Sequence, residues 1–122
     1  MMTVDKARVR VAAAELDINL RIKFVDCRAR VTCLTHNKTA VDAINAILGH
    51  QHQPHVTRAG LVLWRMQDEA NLLKLLRATA PFMEERKALA EALIGFLEAS
   101  DAEGMWEGMM RTQAETLRLV GR

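Results

Sequence analysis

Two alternating runs near the start of the chain constrain its fold more than any other feature. In residues 18–25, "INLRIKFV", apolar and polar side chains fall on opposite faces of an extended chain: Leu20, Ile22 and Phe24 against Asn19, Arg21 and Lys23. Residues 28–35, "RARVTCLT", repeat the pattern: Ala29, Val31 and Cys33 against Arg28, Arg30 and Thr32. Only "DC" separates the runs. The sequence therefore predicts a β-hairpin with one apolar and one basic face.

The hydrophobic period changes after this hairpin. In "HNKTAVDAINAILG", Asn37 can cap a helix and Gly49 can end it. The apolar residues between them fall on one helical face: Val41, Ile44, Ile47 and Leu48. A second hairpin is predicted next, with residues 55–58 as a short strand, residues 59–60 as the turn and residues 61–66 as the return strand.

The remainder of the chain reads as three helices. The first, "DEANLLKLLRAT", begins at an Asp cap and ends before Pro81. The other two carry apolar stripes that we expect in the core: Leu89, Leu93, Phe96 and Leu97 in one, and Trp106, Met109, Met110 and Leu117 in the other.

The alanine-rich run before the first hairpin favours another helix, although "RVRV" at residues 8–11 also alternates as a strand would. The predicted order is therefore α-ββ-α-ββ-α-α-α. This is an α+β fold in which an antiparallel four-stranded sheet is backed by helices, in one domain spanning residues 1–122.

Composition indicates an intracellular protein, of the cytoplasm and nucleoid or of an organelle matrix. No apolar run approaches the roughly 18 residues needed to span a membrane, and "MMTVDKARVR" lacks the apolar centre of a secretory signal. The two cysteines, Cys27 and Cys33, fit neither a CxxC motif nor a disulfide framework, so reduced thiols are expected.

Charge is unevenly spread along the chain. The first 65 residues hold ten of the 17 Lys and Arg residues but five of the 15 Asp and Glu residues, together with all four histidines. A basic half joined to an acidic half indicates a surface that faces a polyanion. The alternative is a chance distribution on a globular domain.

Four stretches, in this order, resemble segments of the LAGLIDADG homing endonucleases: "LTHNKTAVDAINAILG", "LVLWRM", "LLKLLRATAPFMEERKALAEALIGFLEAS" and "MWEGMMRTQAETLRLV". They match the helix after the first hairpin, the last strand, a leucine-rich helix that ends at Pro-aromatic before a basic helix, and the terminal helix. The resemblance covers nearly the whole chain and rests more on the order of the segments than on any one of them.

In this resemblance, "RVAAAELDINL" occupies the place of the signature motif. Asp17 lands on its final acid, which binds the catalytic metal, and Glu15 lands on the earlier acid. Leu16 and Ile18 replace the two flanking glycines, and Arg10 stands where an apolar residue is usual. An acid at the end of a helix can also cap or solvate a turn, and that alternative stays open.

The resemblance implies an assembly as well as a site. One motif per chain implies a homodimer, with Val9, Ala12 and Ala13 at the two-fold interface. Each chain would then deliver one Asp17 to a shared site, where two carboxylates bind Mg²⁺ or Mn²⁺ beside the scissile phosphate.

The basic sheet face is the expected DNA-binding surface. A two-stranded ribbon can enter the major groove and bring side chains to the base edges. The candidate residues are Asn19, Arg21, Lys23, Arg28, Arg30, Thr32, Arg65 and either His55 or Thr57. The competing interpretation is a solvated outer face without a ligand.

Supporting roles follow from the same resemblance. Arg86, in "PFMEERK", matches a position where the family commonly has a lysine near the phosphate. His36 or Asn37 falls where a polar residue often positions water, and either can instead be an ordinary helix cap. The cluster "HQHQPH" lacks a fourth ligand for zinc.

These expectations give one leading function and two alternatives. The leading one is a homodimeric, Mg²⁺-dependent endonuclease acting on a long, near-palindromic site in double-stranded DNA. The first alternative is a relative that binds DNA without cleaving it, as a regulator or splicing helper. The second is a protein-interaction domain that uses its acidic helices.

Overall fold

The computed structural model describes residues 5–49, 55–56 and 61–120. Its elements follow in chain order: α1 (Lys6–Asn19), β1 (Leu20–Val25), β2 (Arg28–Thr35), α2 (Lys38–Leu48), β3 (His55–Val56), β4 (Val62–Met66), α3 (Glu69–Thr79), a 3-10 turn (Ala80–Phe82), α4 (Lys87–Glu98) and α5 (Ala102–Val120). The predicted α+β class, an antiparallel sheet accompanied by helices, is confirmed.

The strands are ordered β1-β2-β4-β3, and neighbouring strands are antiparallel. The long ladders join β1 to β2 and β2 to β4. At the edge, β3 is only two residues long, with His55 opposite Leu63 and Val56 opposite Val62. The rest of the predicted strand at 55–58 and the turn at 59–60 lie outside the described residues, and the return strand begins at residue 62 instead of 61.

The first helix is longer than the sequence pattern predicted. It is continuous through "RVRV", and the Asp5 carboxylate caps its start by accepting a hydrogen bond from the Ala7 N–H (2.9 Å). The last hydrogen bond of α1 joins the Leu20 N–H to the Leu16 carbonyl, so β1 begins at Leu20, two residues after the start of the alternating run. The alternation at 8–11 was misleading because helical and extended periods cannot be separated over four residues.

The first hairpin matches its prediction closely. Val25 lies opposite Arg28, so Asp26 and Cys27 form the whole loop. Both have positive φ, 52° and 61° respectively, which is the backbone of a type I′ turn. That turn has the twist of the flanking strands and fixes which side chains share a face.

Local capping signals define the next two helices. The Asn37 side chain accepts a hydrogen bond from the Ala40 N–H (3.1 Å) at the start of α2, and Gly49, at φ 77°, ends it in the left-handed conformation that glycine adopts most easily. The Asp68 side chain caps α3 through the Asn71 N–H (3.2 Å). The capping roles of Asn37 and Asp68 and the terminating role of Gly49 were predicted from the residue types and are confirmed.

The core lies between the apolar face of the sheet and the helices. Trp64 on β4 is fully buried, and Phe24 on β1 meets Phe96 on α4 edge to face, with ring centroids 5.0 Å apart. Leu89 and Leu93 are buried on the same side of α4 as Phe96. The predicted α4 stripe is therefore largely in the core, with Leu97 half-buried beside it.

The prediction for α5 was wrong for most of its stripe. Trp106, Met110 and Leu117 are 59%, 47% and 72% exposed, and only Met109 packs against the core. Helix α5 packs closely on α4 at Gly108. There is no room for a side chain there, because a Cβ on Gly108 would lie 2.6 Å from the Phe96 Cα. That close approach orients α5 and directs its apolar stripe to solvent.

Among the described residues, no helix is long and apolar enough to cross a membrane.

Candidate functional site

The outer face of the sheet carries the predicted cations. Because Arg21 pairs with Thr32 and Thr32 with Arg65, these three form one row across β1, β2 and β4. The next row pairs Lys23 with Arg30, and Arg28 lies beyond it at the hairpin end. All these side chains are exposed or half-buried.

No Asp or Glu occurs within the four strands as the structure bounds them. The residues that alternate with this face along β2 and β4, Val31, Cys33 and Trp64, point inward and are fully buried. The sheet therefore separates an apolar inner face from an outer face whose charge is uniformly positive. Such a face attracts polyanions.

Two predicted members of this face have a different placement. Asn19 is the last residue of α1, not a strand residue, and its Nδ2 donates to Glu15 Oε1 (2.8 Å). Its assignment to the alternating strand face was wrong because the helix continues through it. The His55 backbone pairs with Leu63, and its side chain lies outside the described part of the structure, as does Thr57.

A polar network links the end of α1 to the start of α2. Besides the Asn19 hydrogen bond, Glu15 Oε1 accepts one from the Thr35 hydroxyl, and Thr35 Oγ1 accepts one from the Asn37 N–H (2.9 Å). Thr35 is buried. Burial and the nearby Glu15 carboxylate raise the pKa of the Cys33 thiol to about 12. Glu15 thus acts here as a structural acceptor.

Asn37 has the helix-capping role that was one of its two predicted alternatives. Its Oδ1 accepts a hydrogen bond from the Ala40 N–H, and the residue is exposed. His36 next to it is also exposed.

Asp17 and Arg86 lie together at the other side of the α1 end. Asp17 Oδ1 accepts hydrogen bonds from the backbone N–H groups of Glu84 (3.1 Å) and Arg86 (2.8 Å). In return, the Arg86 guanidinium donates Nη1–H to the Asp17 carbonyl (2.8 Å) and Nε–H to the Leu20 carbonyl (3.2 Å). These donors satisfy carbonyls that the end of a helix leaves unpaired.

The same contacts place Asp17 at the start of α4. Arg86 is the residue that precedes α4, and its own side chain makes no cap hydrogen bond there. A carboxylate at this position interacts favourably with the positive end of the helix dipole. Asp17 therefore stabilises two helix ends that are far apart in sequence.

The predicted interface residues are mostly inaccessible. Ala12 and Ala13 are 0% exposed within their own chain, and Val9 is half-buried against the core. The assignment of Ala12 and Ala13 to a surface between two chains was wrong because this side of α1 packs onto its own α2 and sheet.

The solvent-facing side of α1 consists instead of residues spaced four, three and four apart: Ala7, Val11, Ala14 and Ile18. That spacing is present in the sequence and could have identified the face. The Asp17–Arg86 pair had no local signal, since its partners are 69 residues apart.

The described residues include no group of three or more His, Cys, Asp and Glu side chains that could hold a metal ion. Asp17 contributes one carboxylate per chain. A single carboxylate with waters and phosphate oxygens is a common Mg²⁺ ligand set.

The order of the helices and strands and the antiparallel sheet are similar in fold to a homing endonuclease of known structure. Two crystal structures of the homing endonuclease I-CvuI share this fold. Its complex with its target (Sro1.3) in the presence of 2 mM Ca superposes with a TM-score of 0.66 and 16% sequence identity, covering 92% of this chain and 82% of that one.

The I-CvuI complex with the I-CreI target (C1221), in the presence of 2 mM Mg and with the DNA not cleaved, gives a TM-score of 0.65 and 15% identity over the same shares of the two chains. No protein-family model matches the sequence, and no curated protein matches it. The similarity is therefore one of fold.

Proposed function

We propose that this chain is a homodimeric, site-specific endonuclease of double-stranded DNA that uses a divalent metal. The single observation that carries the proposal is the positive outer face of β1, β2 and β4, on which these strands place no acidic residue. A twisted ribbon of this kind fits the major groove.

The rows of the sheet suggest which residues would contact bases and which would contact phosphates. Arg21, Thr32 and Arg65 lie side by side and can donate to adjacent base edges, where arginine is the common partner of guanine. Lys23, Arg28 and Arg30 extend the charge toward the hairpin end. Contacts of these residues with phosphates would set affinity and position.

The second chain would pack on the exposed face of α1. Ala7 and Ala14 are small enough for two helices to approach closely, while Val11 and Ile18 supply apolar area and are 37% and 62% exposed. Phe82, 43% exposed with Arg10 Cζ 5.6 Å from its ring centroid, borders this face.

Ile18 adjoins Asp17 in the sequence, so pairing through this face brings the two Asp17 residues of a dimer toward one another. Both backbone donors to the Asp17 carboxylate bind Oδ1, so Oδ2 is the oxygen that would hold Mg²⁺ or Mn²⁺. When bound, such an ion orients water and offsets charge at the scissile phosphate. Arg86 fixes the backbone that carries Asp17.

A second candidate function is a DNA-binding regulator or splicing helper that does not cleave. The observation in its favour is that Asp17 already has a structural role. Its Oδ1 accepts hydrogen bonds from two backbone N–H groups, and the Arg86 side chain donates to the Asp17 carbonyl at the end of α1. Leu16 and Ile18 also stand where the family has glycines.

The experiment that separates the two functions is a nicking assay on a library of duplexes with Mg²⁺ or Mn²⁺. Asp17→Asn retains Oδ1 as the acceptor for both N–H groups but removes the charge that a metal needs. The endonuclease proposal expects cleavage by the wild type and loss of cleavage, with DNA binding retained, by the variant. Binding without cleavage by the wild type would support the regulator. Equal cleavage by both proteins would exclude Asp17 as the metal ligand.

A further inference from the structure

An apolar pair interrupts the polar outer face of the sheet. Leu34 on β2 lies directly opposite Leu63 on β4. This pair is two residues along the strands from the row that contains Thr32 and Arg65. Leu34 is 41% exposed and Leu63 is half-buried.

These leucines do not belong to the core. The residues between the two rows, Cys33 and Trp64, pair with each other and are fully buried on the inner face. Because successive side chains of a strand point to opposite faces, Leu34 and Leu63 share the outer face with Arg65. The pair therefore belongs to the surface that the proposed function assigns to DNA.

We propose that Leu34 and Leu63 form a contact site for the C5-methyl group of thymine, so that the protein prefers an A·T pair at one position of each half-site. The inference rests on the proposed function, in which this face enters the major groove. Thymine presents the methyl group on the major-groove edge, whereas cytosine presents an amino donor there. An apolar pair offers that donor no acceptor, so its burial would be unfavourable.

The position of the preferred base follows from the strand geometry. Leu34 and Leu63 are two residues from Thr32 and Arg65, a separation of about 6.6 Å. With base pairs spaced about 3.4 Å apart, the thymine lies about two base pairs from the pair that faces the Arg21, Thr32 and Arg65 row, where the strands run along the groove.

The direction of that step is also defined. Leu34 precedes Thr35, whose hydroxyl is hydrogen-bonded to Glu15 near the end of α1, whereas Arg28 and Arg30 lie toward the hairpin turn. In a dimer built on α1, the thymine is therefore on the inner side of each half-site, and it occurs once per half-site.

The test removes the methyl group without changing any hydrogen-bonding group. Duplexes that the wild type retains from a randomised library are sequenced, and the best are remade with uracil replacing thymine one position at a time. We expect one position per half-site at which uracil weakens binding about fourfold. This factor in affinity corresponds to the transfer free energy of one buried methyl group. Leu34→Ala should bind thymine and uracil duplexes equally.

Leu117→Ala is the matched control, since Leu117 is 72% exposed and belongs to α5, not to a strand of the sheet. It should keep the wild-type ratio of thymine to uracil affinities. If the wild type binds DNA but does not distinguish uracil from thymine at any position, the inference is wrong while the proposed DNA binding stands. The inference is also wrong if Leu34→Ala keeps the wild-type ratio. If the wild type retains no duplex, the proposed function fails and the inference fails with it.

Discussion

At the scale of single residues, the loop of the first hairpin has an unfavourable side chain. Cys27 has φ 61°, in the left-handed region that costs most L-residues about 1–2 kcal/mol. Cys27→Gly should therefore raise the free energy of unfolding by about 1 kcal/mol in urea titrations, since glycine is preferred at this turn position. Cys27→Ala is the control and should give no comparable gain. An equal gain from alanine would mean that the cysteine side chain, not the backbone, is responsible.

Cys33 should make stability depend on pH in the alkaline range. Its pKa is raised from the ordinary 9.0 to about 12, so the unfolded chain releases the thiol proton first. The stabilisation is complete below pH 9 and is lost as pH rises toward 12, by about 2 kcal/mol between about pH 8 and about pH 10.5.

Comparison with Cys33→Val isolates this contribution, and the chain has no tyrosine to add to it. The variant should lose less stability than the wild type over the same pH range. Parallel curves would show that the Cys33 thiol ionises equally easily in the folded and unfolded states.

Local residue chemistry was predictable from the sequence, whereas long-range pairing was not. Asn37, Gly49 and Asp68 act on backbone groups within four residues, so residue type and position suffice to assign them. Asp17 finds its N–H donors at Glu84 and Arg86, which only the folded chain brings near.

At the scale of elements, two glycines in neighbouring helices should respond to alanine with opposite signs. A Cβ on Gly108 would lie 2.6 Å from the Phe96 Cα, so Gly108→Ala must separate α5 from α4 and should cost about 1–3 kcal/mol. Gly95 has nothing within 4 Å of the corresponding position, so Gly95→Ala should gain about 0.5–1 kcal/mol through helix propensity. Thermal unfolding of both variants measures this, and a stabilising Gly108→Ala would contradict the close packing.

The same helices show where periodicity stops being informative. An apolar stripe predicts that a helix exists, and α4 and α5 both form. It does not determine which side is covered, because that depends on where backbones approach most closely. In α5, Gly108 decides the orientation and leaves Trp106 exposed, and in α1 the alanines that were expected between two chains fill the core of one.

At the scale of the whole molecule, the proposed dimer depends on the outer face of α1. Val11→Glu places a charge in that interface and should shift the protein to a monomer, as measured by light scattering at micromolar concentrations with DNA present. Val120→Glu is the same change at a 75% exposed position on α5 and should leave the dimer intact. A wild type that is monomeric under these conditions would contradict a dimer of this kind.

DNA binding through the outer face of the sheet is tested most directly by fluorescence anisotropy of a labelled duplex titrated at several salt concentrations. Wild-type affinity should fall with salt with a log–log slope of about −0.9 for each phosphate neutralised. Arg21→Ala should weaken binding and make that slope shallower, whereas Arg111→Ala, which removes the same charge from an exposed site on α5, should change neither. Binding that does not depend on salt, or an equal loss from Arg111→Ala, would contradict the assignment of DNA binding to this face.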